Sequence, residues 1–301
     1  MNKTEHSHAQ AEISFLDRMS SQAGLTKLSK LSIESRKKRV SDSIRDFWRG
    51  DYNLAKAALT FKGAPVWGTH GIHADFGSIA TAKFSEAIAA VAASLAGPLG
   101  ERGRIPNRAQ NQILITDVAI GSFGFEFEEA APVDAQLQLE GTTPVAQAFE
   151  LFAEILEAST KSDEELSEPV SRLGDRAIAG VVEFLDKLSA YDAYCTFSTN
   201  NHRFSFKNVE QVIVSKSRLS PENIHEAPVV ISGVFLGVFP ADRKFEFISS
   251  EGILLHGRIG STVEDPALIN AHLNESVTAS FMAKTVGNGR PRYTLERLPW
   301  A

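Results

Sequence analysis

The stretch that most constrains this chain is its last one, residues 228–298, because its apolar pattern changes period twice. Val229 to Phe239 reads VVISGVFLGVF, dense in β-branched and aromatic residues and stopped by Pro240. That composition predicts a strand. Gly233 and Gly237 inside it predict a bend or bulge of the kind a small barrel needs. Ala241 to Lys244 suits a turn; Phe245, Phe247 and Ile248 carry a second strand; Glu251-Gly252 is the next turn, and Ile253 to Ile259 the third strand. The period then lengthens. Asp265-Pro266 pairs an N-cap acceptor with a proline at the first helical position, and Leu268, Ile269 and Leu273 share one helical face. From Val277 alternation resumes: Val277, Ala279, Phe281 and Ala283 fall on one side, Thr278, Ser280, Met282 and Lys284 on the other. Gly287-Asn288-Gly289 is a strong hairpin turn, since both residue types tolerate positive φ, and Tyr293 and Leu295 mark a fifth strand.

Three strands, a short helix and two strands, in that order, resemble the OB-fold, a five-stranded barrel. The resemblance rests on element order and not on a residue motif. An SH3-like barrel with an inserted helical turn fits the same order. An OB-like barrel implies a face and loops that often bind oligonucleotides. On this chain the basic residues at such positions are Arg243 and Lys244 in the first turn, Arg258, and Arg290 and Arg292 beside the last hairpin.

The whole chain reads as α+β: a mixed helical and strand body, then the barrel. Residues 1–40 are expected to be a polar, partly disordered basic arm carrying Arg36-Lys37-Lys38-Arg39, with Leu25, Leu28 and Leu31 spaced to dock as a helix. The body spans residues 41–220. Ser41 to Leu59 is expected to be helical, with Leu54, Ala55, Ala58 and Leu59 at helical spacing, and Phe61 to Trp67 a turn and short extended piece. Ser78 begins an alanine-rich helix ended by Gly97-Pro98. Phe123, Phe125 and Phe127 alternate with polar or small residues, which predicts a half-buried strand. Gly121-Ser122 before it reads as a bend, since G-x-S-x-G is not satisfied. An acidic helical hairpin is expected at about residues 144–190, with Phe149, Phe152, Ile155 and Leu156, then Ile178, Val181, Val182, Leu185 and Leu188, turned inward. Tyr194–Phe197 and Arg203–Phe206 predict a β-hairpin, Ser205 the cap of a helix reaching Leu219, and Ser220–Pro228 a linker.

Charge narrows the partner. Residues 125–192 hold 16 Asp/Glu against 4 Lys/Arg, a block that repels phosphate, while the C-terminal third is nearly balanced. The chain has one cysteine, so no internal disulfide forms and a reducing compartment is the natural setting. The polar N-terminus has no signal-peptide pattern, and no uninterrupted apolar run reaches the roughly 20 residues of a bilayer span. The expectation is a cytoplasmic protein without a membrane contact.

Two histidines and an aspartate, His70, His73 and Asp75, stand within six residues. They are the low-ranked metal candidates, because their spacing fits no zinc motif and Gly71 argues against a rigid helix presenting both rings. Neither catalytic residues nor a cofactor are expected. The primary reading is a non-catalytic binding or accessory protein whose barrel contacts nucleic acid or a partner protein. The alternatives are a metal-dependent hydrolase using His70, His73 and Asp75, and a structural subunit of a larger complex.

Overall fold

The structure is a computed structural model; it describes residues 3–20, 30, 32–40, 54–100, 103–106, 108–119, 123–130 and 143–300. The chain divides into two compact units, Met1–Leu54 and Ala55–Ala301. In the first, helix α1 spans Lys3–Ser20 and α2 residues 32–40. Leu16 and Ile33 are buried, and Arg36 Nε donates to Glu12 Oε1 at 2.7 Å. Much of the expected arm is therefore helical, including its basic run; Leu25, Leu28 and Leu31 lie outside the described residues, as do residues 41–53.

The second unit opens with a five-stranded antiparallel sheet. Its strands are β1 (Lys56–Gly63), β4 (Ile113–Val118), β5 (Gly124–Glu129), β6 (Ala193–Thr199) and β7 (Arg203–Ser205), in the order β4-β5-β1-β6-β7. The short strands β2 (Val66–Trp67) and β3 (Gly71–Ile72) form a separate pair. The helical expectation for Leu54–Leu59 is corrected. Ala55, Ala57, Leu59 and Phe61 alternate inward along β1, and in that run of alanines and leucines a period of two and a helical period are both available. The strand wins because both its edges are paired, to β5 and to β6.

Helices α3 (Ala74–Ala96), α4 (Pro144–Ala158), α5 (Asp163–Ser171), α6 (Asp175–Ala190) and α7 (Val209–Arg218) complete the body. Phe84 of α3 is the centre of its core, with ring centroids of Phe127, Phe149, Phe152, Phe184 and Phe197 all within 4.7–6.3 Å. Truncating such a side chain to alanine costs about 3–5 kcal/mol. By length and composition α3 is apolar enough to cross a membrane, yet its apolar side is committed to this core. The acidic hairpin gains a third helix: Ser162 and Glu165 form a capping box that starts α5 between the two expected ones. Helix α7 is capped by Asn208, whose side chain accepts from Gln211 N, and not by Ser205, which belongs to β7. Gly121 and Ser122 lie outside the described residues.

Strands β8 (Ile224–Phe239), β9 (Lys244–Ser249), β10 (Leu254–Ile259), β11 (Ser276–Val286) and β12 (Arg292–Leu295) close a barrel in the order β10-β12-β11-β8-β9. The parallel pairing of β10 with β12 closes it, with the last strand inserted between the third and fourth. Of the two barrels expected, the OB-like one has this order. Asp265 caps a 3₁₀ turn, Pro266–His272, between the third and fourth strands, where the helix was expected. Phe235, Phe245, Phe247 and Phe281 fill the interior. Gly233 and Gly257 are required there: a Cβ on the first would strike the Ile248 carbonyl and the Phe247 ring, and one on the second the Phe245 ring. The expected bulge falls between Phe235 and Gly237.

The linker expectation is also corrected. After a turn at residues 221–223, β8 begins at Ile224, and its first five residues pair with Met282–Val286 of β11. Val286 and Ile224 belong to the core of the body and not to that of the barrel. A pair of strands thus runs unbroken from one core into the other.

Candidate functional site

Strand alternation sorts the barrel's outer surface into rows. Across β8, β9 and β10 the register aligns Val234, Ile248 and Leu254 in one row and Gly237, Glu246 and His256 in the next. Phe239, Lys244 and Arg258 make a third. Inward neighbours Phe235, Phe245 and Phe247 are fully buried, so these rows face out. Phe239 is 55% exposed, Leu254 48% and Leu236, at the bulge, 40%. The polar members are Lys244, Glu246 with His256 Nδ1 at 3.5 Å, and Arg258, which is partly buried. This is an apolar surface with a few charges, on the strands through which an OB-like barrel meets its ligands.

The five basic residues expected to bind separate by environment. Arg243 has a positive φ of 50° and turns its guanidinium back onto the barrel. Nε donates to the Ile259 carbonyl at 3.0 Å, and Nη2 to those of Val263, at 2.7 Å, and Gly260. It ties the β8–β9 turn to the end of β10, with three backbone acceptors on its Nε and Nη2. Arg258 and Arg292 face α5. Arg292 Nη2 donates to Glu164 Oε1 at 3.0 Å and its Nε lies 3.8 Å from Glu168. Arg258 Nη1 is 3.8 Å from Glu168. Burial, and then the like charge of Arg172, press the Arg258 guanidinium below its usual pKa. Arg290 donates its backbone N–H to Glu164 Oε2 at 2.9 Å while its side chain stays exposed. Lys244 is exposed on the open surface.

The acidic block that was expected to repel phosphate therefore serves the barrel directly. The first turn of α5 supplies Asp163 and Glu164, which accept from the backbone N–H groups of Asn288 and Arg290, so the last hairpin is docked on the helix. No signal in the sequence links these carboxylates to residues more than a hundred positions later. Lys284, outward on β11, was not singled out at all. It is buried, with Nζ 2.8 Å from Glu226, 2.8 Å from the Leu173 carbonyl and 3.3 Å from Asp175.

His73 and Asp75 are engaged by their own neighbours. His73 Nε2 accepts from Trp67 Nε1 at 3.2 Å, and Asp75 Oδ1 caps its neighbour's N–H at 2.8 Å. Among the described residues no three His, Cys, Asp or Glu side chains converge on a point that would hold an ion.

Comparison with protein-family models, with curated proteins and with solved structures finds no match for the chain.

Proposed function

We propose that this is a non-catalytic binding protein whose barrel presents the outer surface of β8, β9 and β10 to a partner protein. The observation that carries the reading is the division of labour on the barrel. Arg243, Arg258 and Arg292 are engaged by acceptors of the chain itself, while Leu236, Phe239 and Leu254 are left exposed. A nucleic-acid strand is held mainly through phosphate contacts with cations that water can still reach. A protein interface is centred on apolar and aromatic side chains with a polar rim. The exposed set has the second composition. The setting is taken to be the cytoplasm, in keeping with a single cysteine that is buried as a free thiol.

Phe239 directly opposite Lys244 is the one pairing that favours the nucleic-acid reading, as a stacking ring beside a cation. One experiment weighs both. Tagged wild type and a Phe239→Ser/Leu254→Glu variant are used to capture partners from native lysate, with and without nuclease, and each is titrated with a single-stranded oligonucleotide at low salt. A captured protein that survives nuclease and is lost with the variant supports the proposal. Capture abolished by nuclease, together with a gel shift that weakens steeply with salt, replaces it with the nucleic-acid reading.

A further inference from the structure

A second surface, remote in sequence from the barrel face, has the form of a binding cleft. It lies along α3 and α6, is walled by residues 103–105 and 108–109 and by the start of β8, and has a volume of about 1500 Å³. Pockets for small molecules measure about 300–1,000 Å³, so this one has more room than a small ligand needs. Its apolar lining includes Leu99, Ile105, Val182 and Ile224, which complete the core of the body from outside and remain only partly buried. Ala179 and Gly180 of α6 also line it, Gly180 where α6 packs against Ala87 and Ala90 of α3.

The charges in the walls are arranged unevenly. Glu86 and Glu183 both lie 2.8 Å from Lys83 Nζ, and Asp175 and Glu226 flank Lys284 at 3.3 and 2.8 Å. Those contacts hold the Lys83 ammonium well above its usual pKa, so it stays charged. Arg176 spends donors on the carbonyls of Gly100 and Gly103. Lys83 and Lys284 stand behind the lining, and with Arg176 they leave the four carboxylates one charge ahead, before Arg104 and Arg108 are counted. Arg104 and Arg108 carry the excess, exposed at the rim and without a hydrogen-bond or ion-pair partner among the described residues.

An apolar floor beneath two guanidiniums that have no partner among the described residues suits one kind of occupant. We propose that the cleft binds an amphipathic acidic segment of another protein, laid as a helix with its apolar side chains toward α6 and its carboxylates toward Arg104 and Arg108. Helices bound in grooves are read through anchors at i, i+3, i+4 and i+7, and guanidiniums take carboxylates in bidentate fashion.

The test uses the full-length protein to select from a displayed library of random 16-residue peptides, followed by anisotropy titrations of the strongest binder. The expected result is enrichment of Asp and Glu interleaved with Leu, Ile or Phe at helical spacing. Affinity should fall at least tenfold in Arg104→Glu/Arg108→Glu and in Ala179→Glu, both exposed changes whose folding circular dichroism will verify. The Phe239→Ser/Leu254→Glu barrel variant should bind as wild type does. Enriched peptides without acidic residues, binding unchanged by the arginine reversals, or binding lost only with the barrel variant would overturn the assignment, and so would a library that yields no binder.

Discussion

Lys284 of β11 and Glu226 of β8 stand directly opposite each other in register, with their charged groups 2.8 Å apart and the lysine buried. The pair sits where two cores meet: Val286, two residues along, is in the core of the body, and Phe281, three residues back, is in that of the barrel. Lys284→Met keeps the length of the side chain and removes the charge. It leaves Glu226 and the Leu173 carbonyl without their donor. Glu226 is partly exposed and regains water, so the expected loss is about 1–3 kcal/mol, below the full cost of breaking a buried pair. Urea unfolding should show a lower midpoint at unchanged slope.

Because β8 and β11 run from one core into the other, the barrel and the body should unfold together. Cys195 on β6 reports on the body: burial raises its thiol pKa far above the usual value, so a thiol reagent should not reach it until the sheet opens. Trp300 reports on the barrel, its ring 5.9 Å from Phe235 and 4.3 Å from His272. In a Trp48→Phe/Trp67→Phe background, Trp300 fluorescence and Cys195 labelling should trace one transition in urea. Two separated midpoints would mean that the barrel is an autonomous domain.

What was legible in the sequence was local. The Asp265-Pro266 cap, the Gly287-Asn288-Gly289 turn and the Phe123 to Phe127 alternation each specify geometry through residues a few positions apart, and each element is present. What was not legible depends on distant partners. His225, Glu226 and Pro228 look like linker residues until Lys284 and its strand are beside them. Arg292 looks like a free cation until α5 delivers Glu164, which lies 128 residues away in sequence. Only Lys244 and the Arg290 side chain keep the exposure that the sequence suggested for all five basic candidates. The apolar row of Val234, Ile248 and Leu254 was hidden for another reason: alternation separates two faces but does not say which apolar face goes inward when both carry apolar residues.

Asp163 predicts how the docking of the last hairpin responds to acid. The Arg218 guanidinium, 2.6 Å away, and the Asn288 N–H, at 3.2 Å, hold its carboxyl below the ordinary value of 3.8. A folded pKa below the unfolded one gives stability that is complete above the unfolded value and is lost as pH falls through the folded one. Asp163→Asn should therefore cost about 1–2 kcal/mol at pH 7. The difference from wild type should hold at about pH 5 and shrink below about pH 3.5. Urea midpoints measured at several pH values will show this. A gap that stays constant down to pH 2.5 would mean that the carboxylate's charge contributes nothing.

The two arginines beside the last hairpin should respond oppositely to charge reversal, although they are two residues apart. Arg290 bonds to Glu164 through its backbone N–H, which any non-proline residue supplies, and its side chain is exposed. Arg290→Glu should change stability by less than about 0.5 kcal/mol. Arg292 uses its guanidinium: Nη2 is 3.0 Å from Glu164, and Nε, buried, faces Glu168 at 3.8 Å. Arg292→Glu removes that pairing and sets a third carboxylate against the two on α5. Losing a charge-assisted bond and gaining like-charge repulsion should cost about 2–3 kcal/mol. Part of that cost should disappear in a Glu164→Arg/Arg292→Glu double variant that restores the pair with its charges exchanged. If Arg292→Glu is tolerated as well as Arg290→Glu, the barrel is not held to α5 by this contact, and Arg292 returns to the set of residues available to a ligand.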